Sequence, residues 1–408
     1  MTAEAAPSGG GVNSARYLPV GPFFLNEKIG PLRAWRLLWE QQSDFLGSEG
    51  KKIGDDVDLD GPFRALATAK LMARYLYSRY LRADGALDLP VSGELAIERL
   101  SGAVKLLDLG SKQVFTIMGD DAMRGKLEER IKSAERVSDW AFAPDFEGAD
   151  VGQGWLAEEY IPGVHPTGFR GCSERFEDYY QPLLVDFLCA EPPLATPFSA
   201  YLAALCDDIL DANGLLPRVD PELRTEITEF VGEFRGRLDA AIADRPRDIN
   251  LVLSHGDFFS GNVIITPDGT TRAIDWATTG SRSALYDLYF LLMNHCVRVM
   301  SPAQRSQRFS EMVRSLRSAL GEASADTLAA LDNDLTGATE LRWLFYLECV
   351  HVPLMHCVDP DDRYIKSLAT RLTWFKEYEL AVKDDDMIDY PTAAATSAAT
   401  TPEGARHA

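Results

Sequence analysis

Asp257, Asn262 and Asp275 fall within one stretch, Ser254 to Trp276, whose residue types and spacing suit metal-assisted chemistry. Val263-Ile264-Ile265-Thr266 is β-branched, Pro267-Asp268-Gly269-Thr270 is turn-forming, and Thr271 to Ile274 again has strand character. A hairpin closed symmetrically about that turn pairs Thr266 with Thr271, Ile264 with Ala273 and Asn262 with Asp275. Directly opposed residues have Cβ atoms about 5 Å apart. An amide oxygen and a carboxylate held side by side are hard ligands of the kind Mg²⁺ takes. Asp257, on the loop entering the hairpin, would face the same point as a base. A base beside two metal ligands is the layout of phosphoryl transfer.

The rest of the chain must position that stretch. Residues 1–95 read as an N-terminal extension, disordered over a Gly/Ala/Ser-rich start and then helical. A helix is expected from Pro31, with Leu32, Trp35, Leu38, Trp39 and Phe45 on one side and a stop at Gly47. Asp56 to Gly61 matches the first half of a calcium loop, but the twelfth position is Ala67 instead of an acid, so an acidic helix start is the better reading. Phe63 to Arg82 is helical in composition, with Arg64, Lys70, Arg74 and Arg79 forming a solvated basic face. From about residue 96 the pattern changes to short strands over 98–101, 104–109 and 113–117, a helix over 123–139, and two more strands over 145–147 and 153–159. The second of these runs into Glu159-Tyr160-Ile161-Pro162-Gly163, a hinge that closes a small β-rich lobe over 96–160. A mainly helical lobe follows over 161–383, with Leu223, Ile227, Phe230, Phe234, Leu238 and Ile242 as its clearest apolar stripe, and a solvated tail over 384–408. The fold class is α+β.

Composition sets further bounds. A net charge of −21 opposes nonspecific contact with nucleic acid or an anionic membrane, and it suits a neutral or cationic small substrate. The six cysteines show no CxxC spacing, which points to a reducing, cytoplasmic setting. No secretory signal and no apolar run long enough for a bilayer is present. Cys349, His351, His356 and Cys357 lie close in sequence, but an i,i+5 histidine pair does not share a helix face, so packing is favoured over metal binding. Ser254 before His255 has no support as a nucleophile.

His255-Gly256-Asp257 followed by Asn262, and then Ile274-Asp275-Trp276, resemble the motifs of the aminoglycoside phosphotransferase/choline kinase family, small-molecule kinases with a protein-kinase-like fold. The resemblance extends in element order over roughly 97–380, while its specific motifs occupy 254–288. It implies a bilobal protein-kinase-like fold with an extra N-terminal helical segment, ATP and Mg²⁺ as cofactors, and a small-molecule hydroxyl as acceptor. By it Asp257 is the catalytic base, His255 braces the loop, Asn262 and Asp275 are the magnesium ligands, and Asp287 is structural. Leu100-Ser101-Gly102 resembles the start of a shortened nucleotide loop. Glu159 and Ile161 fall at the adenine-binding hinge. The family's third-strand lysine is missing from Val114 to Met118, which leaves Lys105 or Lys112 to meet the phosphates, with Glu128 or Glu129 as the partner acid. Ala277 and Arg282-Ser283-Ala284 depart from the family pattern. The missing lysine also motivates an alternative, a catalytically impaired pseudokinase acting as a nucleotide-binding or regulatory module.

Overall fold

The computed structural model describes residues 14–20, 23–39, 62–81, 85–98, 103–119, 123–166, 175–215, 220–243, 246–296, 300–335, 339–356 and 363–383. Its first lobe is built on one antiparallel sheet. In chain order the elements are β1 (Ala15–Val20), β2 (Phe23–Asn26), α1 (31–39), α2 (Pro62–Tyr80), β3 (Leu87–Leu89), β4 (Leu95–Glu98), β5 (Val104–Asp108), β6 (Gln113–Ile117), α3 (Arg124–Val137), β7 (Phe146–Asp150) and β8 (Trp155–Glu159). The sheet order is β3-β1-β2-β4-β5-β6-β8-β7.

Three of these strands come from the segment before residue 95, where only disordered chain and helix were expected. Pro19 obscures β1 as a strand, yet it costs little there. β3 pairs only with Ala15, Arg16 and Tyr17, so Pro19 has β2 alone beside it and no second neighbour awaiting its missing N–H. Tyr17 is buried, and its hydroxyl accepts the Gly93 N–H at 2.7 Å. The helix from Pro31 forms, but its buried face differs from the expected one. Ala34, Leu37 and Leu38 pack on the sheet with Met72 and Tyr75 of α2, while Leu32 is 85% exposed and Trp35 38%. Positions 34, 37 and 38 make an i, i+3, i+4 stripe, and 32 and 35 flank it. Phe45 and Gly47 lie outside the described residues, as do 56–61 of the half calcium loop; Ala67 sits inside α2. Lys70 and Arg74 are exposed on α2, as a solvated basic face requires, but Arg79 is partly buried and donates to the Ile29 carbonyl and the Tyr75 hydroxyl.

The second lobe comprises α4 (Phe176–Tyr179), α5 (Gln181–Ala190), β9 (Leu194–Pro197), α6 (Phe198–Leu215), α7 (Pro221–Ala243), β10 (Asp248–Ser254), β11 (Val263–Ile265), β12 (Thr271–Ala273), β13 (Gly280–Ser283), α8 (Tyr286–Cys296), α9 (Pro302–Ala323), α10 (Ala325–Leu331), α11 (Thr339–His356) and α12 (Arg363–Lys383). The apolar stripe of α7 is buried from Ile227 to Ile242. Ser301 and Gln304 form a reciprocal capping box that fixes where α9 begins. Deep in the core, Glu379 of α12 accepts from Arg342 Nε at 2.7 Å, Trp343 Nε1 at 2.9 Å and Tyr346 Oη at 2.9 Å, joining α11 to α12. The whole is bilobal, a small β-sheet lobe against a larger helical one.

The connection between lobes is strapped to the hairpin. Val164 exchanges backbone hydrogen bonds with Ile265 at 3.0 and 2.8 Å. Gly163 runs so close that an added Cβ would lie 2.4 Å from the Ile265 carbonyl. Glu159, at the end of β8, pairs with Arg272 of β12 at 2.8 Å.

Candidate active site

β10 delivers the chain to His255, which is fully buried. Its Nε2 donates to the Ile274 carbonyl at 2.9 Å, and its Nδ1 accepts the Asp257 N–H at 3.3 Å. One imidazole thus ties the loop carrying Asp257 to the strand exit carrying Asp275. Asp287, in the first turn of α8, holds the same loop from beneath. Its carboxylate accepts the His255 N–H at 2.8 Å and the Gly256 N–H at 3.1 Å. Gly256 has φ +84°, and a Cβ there would lie 2.3 Å from the Thr278 carbonyl and 2.9 Å from Arg282 Nη1. Burial pushes the Asp257 carboxyl above the usual carboxylate range, while the charges of Arg371 and His255 pull the other way.

The hairpin register differs from the expected one by a residue. Val263 pairs with Ala273, Ile264 with Arg272 and Ile265 with Thr271. Gly269, at φ +88°, closes a loop in which Thr266 N–H bonds the Thr270 carbonyl at 2.9 Å. A three-residue loop with glycine in the left-handed region is a standard hairpin form, and its odd length removes the symmetric pairing. Asn262 and Asp275 therefore do not face each other across strands. Asn262 ends a short 3₁₀ turn, and its carbonyl accepts the Ile274 N–H at 2.9 Å. Asp275 follows immediately with a left-handed backbone, φ 63° and ψ 58°. Such a conformation costs a non-glycine residue about 1–3 kcal/mol and concentrates at functional sites. Asn262 Nδ2 donates to the Asp257 carbonyl at 2.8 Å and to its Oδ2 at 3.3 Å. Two irregular segments, not a strand pair, bring the three residues together.

Those donors fit a magnesium ion. With Nδ2 committed to Asp257, the Asn262 side chain has its carbonyl oxygen to offer, and its backbone carbonyl bonds the Ile274 N–H, one residue before Asp275. One amide and one carboxylate oxygen is the sparse protein set Mg²⁺ takes when phosphates and water complete its shell. Among the described residues no group of three or more His, Cys, Asp or Glu stands ready to hold a metal.

On the opposite wall the expected residues are placed unevenly. Ser101 and Gly102 lie outside the described residues. Lys105 of β5 sits across from Thr116 of β6, which is fully buried in the stretch that lacks the lysine. Its Nζ stands 4.0 Å from Glu158 of β8. Glu128 and Glu129 are exposed on α3 and do not reach Lys105, because Leu127 is the residue that α3 turns into the lobe. The charged residue that shares Leu127's side, three positions on, is Arg130, whose Nη1 lies 3.5 Å from Asp275 Oδ1. Arg130, Leu156, Glu158, Asp275 and Trp276 line one cleft. Burial raises the Glu158 carboxyl, opposed by Lys105. Lys112 is exposed in the β5–β6 turn at φ 58°. At the hinge, the Glu159 N–H bonds the Asp145 carbonyl at 2.9 Å, and Ile161 is buried. Glu158 and Arg130 went unread in the sequence, although the Glu158-Glu159 pair in a strand must send one acid to each face.

Of the cysteine–histidine group, Cys349 is buried while His351 and His356 are partly buried. Cys349 is buried against Arg371 of α12, whose Nη1 reaches its Sγ at 3.5 Å; Cys357 lies outside the described residues. Burial pushes both His351 and His356 down to about 4. Unfolded histidine titrates near 6.5, so these two favour the folded state above that pH and lose their contribution as pH falls toward 4. Replacing both by glutamine is expected to flatten the acid loss of stability by about 2–3 kcal/mol per histidine between pH 6.5 and 4. Urea midpoints across that range check it.

A strand-rich lobe hinged to a helical lobe, with a buried histidine-braced aspartate loop and a second aspartate at a hairpin exit, defines the protein-kinase-like fold. Within that class, residues 141–311 match the phosphotransferase enzyme family, a span that contains all of Ser254 to Trp276. Among solved structures the chain is similar to an ethanolamine kinase of Plasmodium vivax, at 13% identity over 87% of this chain and 99% of that one, with a TM-score of 0.48. The choline kinase of Streptococcus pneumoniae aligns at 15% identity over 68% and 90%, TM-score 0.45. An aminoglycoside phosphotransferase of Streptomyces rimosus aligns at 18% over 63% and 92%, TM-score 0.38. No curated protein sequence matches the chain. No helix among the described residues is long and apolar enough to cross a membrane.

Proposed function

We propose that this protein is an ATP- and Mg²⁺-dependent kinase that phosphorylates a hydroxyl group of a small molecule in the cytoplasm. The convergence of Asp257, Asn262 and Asp275 carries this reading. Asp257 orients the acceptor hydroxyl and takes its proton as the oxygen bonds the γ-phosphorus and the bridge to ADP breaks. Asn262 and Asp275 would hold Mg²⁺, which supplies charge neutralisation on the phosphates when bound. His255 and Asp287 fix the loop so that Asp257 keeps one position. At the hinge the Glu159 and Tyr160 N–H groups bond the Asp145 and Lys112 carbonyls, which leaves the backbone at Ile161 for the adenine, and the resemblance assigns Ser101 and Gly102 to the nucleotide loop.

Lys105 is the cation assigned to those phosphates. Lys105→Met is expected to weaken Mg·ATP binding about tenfold to a hundredfold, the range for one charge-assisted hydrogen bond. Calorimetric titration of Mg·ATP measures it. Transfer of γ-labelled phosphate from ATP into a metabolite extract tests the whole reading. A labelled small molecule formed only with Mg²⁺ supports it. The alternative, a pseudokinase, draws on Thr116 standing where the lysine is missing and on the absence of a helix acid beside Lys105. It predicts nucleotide binding with no labelled product.

A further inference from the structure

The cleft between α3 and the hairpin exit has one wall of sheet and one of helix. On the sheet side, Lys105 is paired with Thr116 and Thr116 with Leu156, and directly paired residues share a face. Glu158, two residues beyond Leu156 in β8, lies on that same face and holds Lys105 Nζ at 4.0 Å. In the middle of the face Thr116 is a short side chain, and its buried hydroxyl has no hydrogen-bond partner. The sheet therefore brings one cation to this region, and a carboxylate already draws on it.

The helix brings another. Leu127 and Ala134 are buried on α3, and Arg130, three residues after one and four before the other, shares their side. Arg130 lines the cleft together with Leu156, Glu158, Asp275 and Trp276. Its Nη1 lies 3.5 Å from Asp275 Oδ1, and among the described residues it makes no other ion pair or hydrogen bond. That contact is long, since charge-assisted bonds close to about 2.7–2.9 Å. Arg272 reaches Glu159 at 2.8 Å, and Arg342 reaches Glu379 at 2.7 Å. A guanidinium carries five N–H donors, so one long contact leaves donors for a second oxyanion. With 23% of its side chain exposed, Arg130 is open to a ligand entering the cleft.

We propose that Arg130 is a second phosphate-binding residue of the nucleotide site, exchanging Asp275 for a phosphate oxygen when Mg·ATP binds. The carboxylate it touches is the one assigned to Mg²⁺, and a divalent ion there takes over the charge that now holds Arg130. The planar fork of arginine matches phosphate as well as it matches carboxylate. The inference rests on the kinase reading above and deepens it: Lys105 from the sheet and Arg130 from α3 share the phosphates from opposite walls. If Arg130 were only the counter-charge of Asp275, it would compete with Mg²⁺, and its removal would tighten Mg·ATP. The two roles differ in the sign of the effect.

The test is calorimetric titration of the full-length protein with Mg·ATP and with adenosine, which has the base and sugar but no phosphate. Arg130→Gln is expected to weaken Mg·ATP about tenfold or more and to leave adenosine within about twofold of wild type. Arg130→Lys keeps the charge without the fork and is expected to fall between the two. Unchanged or tighter Mg·ATP binding in Arg130→Gln overturns the proposal and leaves the kinase reading standing. An equal loss for adenosine also overturns it, because a structural role would weaken both ligands alike. Should Arg130→Gln lose its fold by circular dichroism, Arg130→Lys carries the test, and a Mg·ATP affinity at or above wild type overturns the proposal. A wild-type protein that binds neither ligand brings down the kinase reading as well.

Discussion

Asp257→Asn abolishes turnover, by about 10²–10⁴-fold, while Mg·ATP affinity stays within about threefold of wild type. The substitution keeps the size of the side chain and its place beside Asn262, but it removes the only atom set in the loop able to take the acceptor's proton. The loop itself is held by groups the change does not touch: the His255 ring between Ile274 and the residue-257 N–H, and Asp287 on the two preceding N–H groups. Burial disfavours the Asp257 charge, so a neutral amide at this position is not a burden on folding. Single-turnover ADP formation, set against a calorimetric Mg·ATP titration, separates chemistry from binding. An unaffected rate would remove Asp257 from the mechanism.

Gly256→Ala is expected to cost about 2–4 kcal/mol of stability and most of the activity. A left-handed backbone alone costs an alanine about 1–2 kcal/mol. Here the added Cβ also meets the Thr278 carbonyl at 2.3 Å, a backbone atom that cannot swing aside. Thr278 in turn bonds the His255 carbonyl through its hydroxyl at 3.0 Å, so relief of the clash displaces the residue on which Asp257 depends. Gly269→Asn is the control. Gly269 has a similar φ of +88° but nothing within 4 Å of its would-be Cβ, and asparagine tolerates that region. Urea denaturation of both variants compares a glycine needed for space with one needed only for its turn.

The candidate site could be read from the sequence because its residues are local. Asp257, Asn262 and Asp275 sit within one hairpin, and their types alone constrain the chemistry. The way they meet was not legible. Pairing of Asn262 with Asp275 assumed a symmetric turn, and Gly269 made the loop odd. Ala277 and Arg282-Ser283-Ala284, which depart from the family's motif, acquire roles only in three dimensions. Arg282 fills the space beside Gly256 and bonds the Thr278 carbonyl at 2.8 Å, and Ser283 engages Glu348 from α11. The small lobe was harder for the same reason. β5, β6, β7 and β8 show short β-patterns close to their true bounds, but β4 runs over Leu95–Glu98 where the pattern placed a strand at 98–101, and β1 and β2 are recognisable as strands only once β3 and β4 lie beside them. Likewise, the partner of Lys105 depended on which way α3 faces. Leu127 takes the buried side, so Arg130 and not Glu128 or Glu129 reaches the cleft.

The central claim is that Asp275, with Asn262, completes a magnesium–nucleotide site. Thermal unfolding of wild type and Asp275→Asn, titrated with ATP in the presence and absence of Mg²⁺, tests it most directly. Asparagine keeps the left-handed backbone at this position and removes only the charge. Wild type should gain about 2.7 kcal/mol at a hundred times its Kd, and only with Mg²⁺ present; Asp275→Asn should lose most of that gain. Stabilisation by ATP that is the same without the metal, or undiminished in Asp275→Asn, would contradict it.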